Sequence, residues 1–166
     1  MSRYMKKYGN KFTAFHNLIG TDSPVVVEIG AHYGEDSLRF LEMFTGIKLY
    51  CFEPDPRNIQ TFKYASSAID VAAERFDNWY AQTNLGKIDL IWIDVQGAER
   101  EVVDGMGVEI KNVKYLWIEY GESTYEGAMT RSETVELFGK KGFDVLGELS
   151  DTTPSGDIMF YNRELK

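Results

Sequence analysis

The sequence predicts a single α/β domain, doubly wound around a mainly parallel sheet with a C-terminal antiparallel hairpin. Three observations predict it. Short apolar runs alternate with stretches of helical spacing, an acidic residue stands at or near the end of each of the four main runs, and the last two strand-like segments flank a polar turn. With 166 residues, 43% of them hydrophobic and 27% charged, the chain has the length and composition of one globular domain spanning 1–166.

Tyr4, Tyr8, Phe12, Phe15 and Ile19 recur at steps of three and four, so residues 1–20 read as an N-terminal amphipathic helix ended by Gly20. The β-branched run Val25–Ile29 is the first strand. It enters the turn Gly30-Ala31-His32-Tyr33-Gly34, after which Ser37, Leu38, Phe40, Leu41 and Phe44 give helical spacing. Ile47–Phe52 is the second strand, stopped by Glu53-Pro54-Asp55-Pro56, and a helix follows to about Tyr64. A weaker strand is expected around Ile69–Arg75, then a short helix from about Asp77. Ile88–Ile93 is an apolar strand ending at Asp94, with a helix after Gln96-Gly97-Ala98-Glu99, and Tyr115–Tyr120 repeats the pattern. Thr130 and Glu133 have capping-box spacing. Phe143–Leu149 and Ile158–Tyr161 make the hairpin, around a turn holding Pro154, Ser155 and Gly156.

Composition excludes several functions. The net charge of −8, from 26 acidic and 18 basic residues, opposes the phosphate attraction on which nucleic-acid binding rests, so no nucleic-acid partner is expected. Residues 1–21 are the exception, with Arg3, Lys6, Lys7 and Lys11 and no acid. Two histidines and one cysteine, widely spaced, predict no metal site. Cys51 lies among apolar neighbours and reads as part of a strand. The absence of a long apolar run predicts no membrane span and, with the lone cysteine, a cytoplasmic setting.

Ligands of open α/β sheets bind beyond the carboxyl ends of the strands. Glu28, Glu53, Asp94 and Glu119 stand there. A dinucleotide fingerprint requires a glycine at the middle of the turn, where this chain has His32, so a nicotinamide-dependent oxidoreductase is disfavoured. Gly30 and Gly34 alone suit a cofactor without a pyrophosphate. Glu53, 23 residues after Gly30, stands where a carboxylate would accept hydrogen bonds from ribose hydroxyls. Adenosine without a diphosphate is implied, and S-adenosyl-L-methionine is its common form.

The blocks Val26-Val27-Glu28-Ile29-Gly30-Ala31-His32-Tyr33-Gly34, Phe52-Glu53-Pro54 and Ile93-Asp94-Val95-Gln96-Gly97-Ala98-Glu99 together resemble the FkbM family of class I, Rossmann-like methyltransferases. The resemblance implies that Glu28, Gly30, Ala31 and Gly34, with His32 and Tyr33 in the same turn, line the methionine part of the cofactor. Glu53, followed by Pro54, would hold the ribose, and Asp94 would face the transfer centre. Two departures stand out: His32 replaces the usual asparagine, and the Glu53–Asp94 stretch is short. Asp77 is the candidate for the adenine edge, or else a helix cap. Methyl transfer to an oxygen of a small-molecule or saccharide acceptor is expected, with Asp94, then His32 and lastly His16 as the base. Trp79, Tyr80, Tyr120 and Tyr125 are core residues or an aromatic wall, 121–127 is the candidate acceptor loop, and Glu99 has a capping position. A binding module without catalysis is the competing reading.

Overall fold

The structure, a computed structural model, describes residues 11–54, 74–121, 126–150 and 154–165. Its elements run α1 (Lys11–Ile19), β1 (Val25–Ile29), α2 (Glu35–Met43), β2 (Lys48–Phe52), α3 (Phe76–Thr83), β3 (Ile88–Ile93), α4 (Glu99–Met106), a 3-10 segment (Gly107–Asn112), β4 (Val113–Gly121), α5 (Arg131–Lys140), β5 (Phe143–Ser150) and β6 (Ser155–Asn162). The helix expected up to Tyr64 and most of the weak strand expected at Ile69–Arg75 lie outside the described residues, as do Tyr4, Tyr8 and Tyr125.

The sheet has the order β2-β1-β3-β4-β6-β5, parallel from β2 to β4 and antiparallel in the last two pairings. Alternation along the central strands separates two cores. Ile91 and Ile93 of β3, Leu116 and Ile118 of β4 and Phe160 of β6 face Phe76, Val103, Met106 and Phe138 from α3, α4 and α5. Leu90, Trp92, Trp117 and Met159 face Phe12, Phe15 and Phe40 from α1 and α2. Trp92 and Trp117 are register partners on adjacent strands and stack with centroids 5.1 Å apart. Phe15 meets both edge-on, at 5.8 and 5.3 Å, and is fully buried. Phe12, Phe15 and Ile19, the described part of the aromatic stripe read from the sequence, therefore form the seam that seats α1 on the sheet.

Local signals account for the helix ends. The Thr130 hydroxyl accepts the Glu133 N–H while the Glu133 carboxylate accepts the Thr130 N–H, the expected capping box. Glu35 and Asp36 occupy the first turn of α2, where carboxylates favour the helix dipole. The hairpin differs from expectation. Ser155 and Gly156 are paired within β6, opposite Gly121 and Tyr120, because β4 runs on to Gly121 and its backbone there takes as ladder partners polar residues that composition assigns to a turn.

Phe15→Ala should lower unfolding stability by about 3–5 kcal/mol in urea denaturation, the range for removing a buried aromatic from a core. A loss under 1 kcal/mol would mean that α1 is not seated on the tryptophan pair.

Candidate active site

Strand order reverses between β1 and β3: the chain moves outward from β1 to β2 and returns to the other side of β1 at β3. The crevice at this reversal is the ligand position of doubly wound sheets. Both loops at its mouth carry positive φ, at Gly30 (91°), His32 (50°) and Gly34 (83°) after β1, and at Gln96 (49°) and Gly97 (115°) after β3. Non-glycine residues in that region cost of order 1–3 kcal/mol and concentrate at functional sites. Gly30 is dictated by contact. A Cβ there would lie 1.7 Å from the Asp94 carbonyl oxygen, so only glycine lets the first turn lie against the end of β3. The turn is tied to β2 as well: the N–H groups of Gly30 and Ala31 donate to the Phe52 carbonyl at 2.8 and 3.0 Å. The His32 N–H donates to Glu53 Oε2 at 2.7 Å.

Carboxyl groups gather here. Glu28, on β1 beneath the turn, is 1% exposed, accepts the Ser37 hydroxyl, and has the Cys51 thiol at 3.6 Å. Burial pushes its carboxyl up to about 7, against the opposing effect of the Ser37 hydrogen bond. Burial also raises Asp94, while the Lys11 ammonium and a hydrogen bond with Glu119 favour its charged form. Glu119 is pushed up to about 7 by burial and by Asp94. Lys11 stands 3.7 Å from Asp36 and 4.4 Å from the centre of the Trp92 ring, so this corner already accommodates one positive charge.

The structure joins some of the sequence candidates and separates others. Glu28, Gly30, Ala31, Gly34, Glu53 and Asp94 converge on the crevice. The His32 backbone belongs to it, but its imidazole is more than half exposed, lies tilted against the Tyr33 ring and has Glu35 at 3.6 Å. Tyr33 and Pro54 are exposed at the rim. His16 stacks on Phe44, at the end of α1 away from Lys11. Asp77 is held by Arg75 at 2.9 and 3.1 Å and by the Asn78 N–H, and lies against Gly107 at the far end of α4. Trp79 packs on Tyr50, Phe52 and Phe76, and Tyr120 is buried in the core. Glu99, in the first turn of α4, accepts at 2.9 Å the N–H of Gly97, the residue ahead of the helix's N-cap Ala98. Of the segment 121–127, expected as an acceptor loop, residues 122–125 lie outside the described residues, and Gly127 approaches the Gly97 carbonyl so closely that a Cβ would stand 2.6 Å from it. Among the described residues no cluster of three or more potential metal ligands forms, and no helix is long and apolar enough to cross a membrane.

Solved structures share this architecture. The fibrillarin pre-rRNA processing protein of Methanococcus jannaschii matches 85% of this chain and 67% of its own, with a TM-score of 0.66 and 16% identity. TrmK of M. capricolum, in complex with S-adenosyl-homocysteine, matches 92% and 68%, with a TM-score of 0.63 and 10% identity. The mitomycin 7-O-methyltransferase MmcR matches 92% and 54%, with a TM-score of 0.58 and 16% identity. At such identities the likeness is one of fold, that of the class I methyltransferases. The methyltransferase FkbM domain matches residues 62–145, about half of the chain, and the chain belongs to that family. It is similar to the 2-O-methyltransferase NoeI of Sinorhizobium fredii, at 25% identity over 206 residues covering 90% of this chain and 84% of NoeI. The chain is thus an S-adenosylmethionine-dependent methyltransferase, and the oxidoreductase alternative falls away.

Glu28 yields a pH signature. Folded, its carboxyl holds a proton up to about pH 7; unfolded, only to the ordinary value of 4.5. The folded state therefore binds more protons in that window, and the contribution is full below about 4.5 and lost as pH rises through about 7. In urea titrations, Glu28→Gln should flatten this fall by an amount on the order of 3 kcal/mol. An unchanged profile would show that Glu28 ionises normally. Gly30→Ala should prevent folding or abolish S-adenosyl-homocysteine binding, read by thermal shift.

Proposed function

We propose that the chain acts as one domain that transfers the methyl group of S-adenosylmethionine to an oxygen of a small or carbohydrate-like acceptor. The observation that carries this reading is the approach of the two-glycine turn to Asp94 at the reversal of strand order, with Glu53 hydrogen-bonded to that turn. The residues present fit the cofactor. The turn that Gly30 lets close on Asp94 sets the end of β1 against the crevice, and the surrounding carboxyl groups favour a cation where Lys11 already brings one. Bound there, S-adenosylmethionine supplies a methyl group on a positively charged sulfur.

The chain's own residues would do the rest. Gly30, Ala31 and Gly34 form the turn at the methionine end, with Glu28 buried beneath them, and the Glu53 carboxylate, oriented by the His32 N–H, takes the ribose hydroxyls. Tyr33 and Pro54 border the mouth. Asp77 would reach the adenine edge only by leaving Arg75, which makes it the weakest member of the set. Positioning and exclusion of water provide most of the acceleration, since positive charge disappears during transfer. An alcohol acceptor must also lose its proton. Asp94 serves as base better than His32, whose imidazole turns toward Glu35. NoeI is a 2-O-methyltransferase, which supports oxygen as the acceptor atom, and the acidity of the chain supports an uncharged or cationic acceptor over a nucleic acid. A cytoplasmic setting completes the proposal.

Glu53→Ala should weaken S-adenosyl-homocysteine binding about 10- to 100-fold by calorimetry, the loss of a charge-assisted hydrogen bond or two. Asp94→Asn should leave that affinity within a few-fold but lower kcat about 10²- to 10⁴-fold toward an acceptor found by screening sugars, glycolipids and small alcohols with labelled cofactor. Unchanged binding in the first variant would displace the cofactor site. Binding by the native chain with no transfer to any acceptor would make it a binding module.

A further inference from the structure

Register places three acids side by side. Ile93 of β3 pairs with Ile118 of β4, so Asp94 and Glu119 are the next residues along adjacent parallel strands. Glu119 in turn stands directly opposite Asp157 of β6. Each lies two residues from a member of the Trp92, Trp117 and Met159 row and so shares its face, the one covered by α1. Neighbouring strands are about 4.8 Å apart. Carboxylates at that spacing over buried tryptophans do not all ionise.

We propose that Asp94 and Glu119 work as one proton-holding pair, in which Glu119 is a positioning residue that orients Asp94 and shares the proton taken from the acceptor. The inference rests on Asp94 as the base. The charged groups around the pair decide where its proton sits. Lys11 of α1 and His32 of the first turn favour charge on Asp94, against Asp36 of α2. Asp157 of β6 and Glu99 of α4 oppose charge on Glu119. The resting proton therefore belongs to Glu119, which hydrogen-bonds the Asp94 carboxylate. Glu99 gives an independent sign of a ligand. It is 2% exposed, one oxygen takes the Gly97 N–H, and the other, a buried acceptor, has no hydrogen-bond partner among the described residues. Burying such an atom without a donor is costly, and a hydroxyl-bearing acceptor is the kind of molecule that would supply one.

In the step itself, the acceptor's O–H proton passes to Asp94 as its oxygen forms the new O–C bond. The electron pair of the breaking C–S bond stays on sulfur, which becomes neutral. The pair then holds two protons and returns one to solvent. Above about pH 7 Glu119 gives up its own proton and no longer tempers the basicity of Asp94, so kcat should rise through that pH.

The test is a carbon-detected NMR titration of the full chain with labelled glutamate carboxyls, free and with S-adenosyl-homocysteine. Glu119→Gln assigns one raised resonance and Glu28→Gln the other. The Glu119 midpoint should lie near 7 and fall by about one pH unit or more in Asp94→Asn. In parallel, the pH profile of labelled methyl transfer should lose its limb near 7 in Glu119→Gln and keep it in Glu119→Asp. A Glu119 carboxyl that titrates like an ordinary glutamate, or that ignores Asp94→Asn, overturns the pairing, as does a retained limb in Glu119→Gln. If S-adenosyl-homocysteine does not bind, the cofactor reading fails separately, and the titration of the free chain still decides the pair.

Discussion

The close contact between Gly30 and the Asp94 backbone is the constraint on which the site depends. It brings the end of β1 within touching distance of the end of β3, where β2 and β3 lie on opposite sides of β1. From it follow the shape of the first turn, the positive φ at its glycines, and the meeting of Glu53 with the His32 N–H. A side chain at position 30 would have to push β1 and β3 apart, and the sheet is hydrogen-bonded through Asp94 N–H to the Ile29 carbonyl at that level. The crevice is thus a product of backbone packing before any polar group takes part.

Electrostatics then works within that frame. The strand ends concentrate acids that burial resists ionising, and the structure manages them by hydrogen bonds and by one lysine held over a tryptophan. Glu28 finds a hydroxyl and a thiol, Glu99 a backbone N–H, and Asp94 both Lys11 and Glu119. The helix that carries Lys11 is fixed by Phe12 and Phe15 on the same tryptophan pair. Packing on one face therefore determines the charge balance at the rim.

Much of this was legible in the sequence because it is local. Strand runs, the two-glycine turn, the capping box and the aromatic stripe each depend on residues a few positions apart, and the parts of them that fall within the described residues stand close to where expected. What escaped depends on distant partners. Ser37 and Cys51 as companions of Glu28, and the alignment of Asp94 with Glu119 and Asp157, require inter-strand register that spacing does not encode. Ser155 and Gly156 read as a turn because their composition is polar, yet β4 pairs with them. Asp77 sat at a suggestive distance along the chain, but Arg75, two residues before it, is the nearer claim on its carboxylate.

Cys51 shows how burial changes the chemical character of a residue. Confined beside Ser37 and Glu28, its thiol is driven up to about 12, chiefly by desolvation. At any physiological pH it stays protonated, and only the thiolate attacks oxidants, disulfides or alkylating agents with useful speed. The fold thus keeps this sulfhydryl chemically quiet, and its reaction with thiol reagents becomes a report on the opening of the sheet edge that confines it.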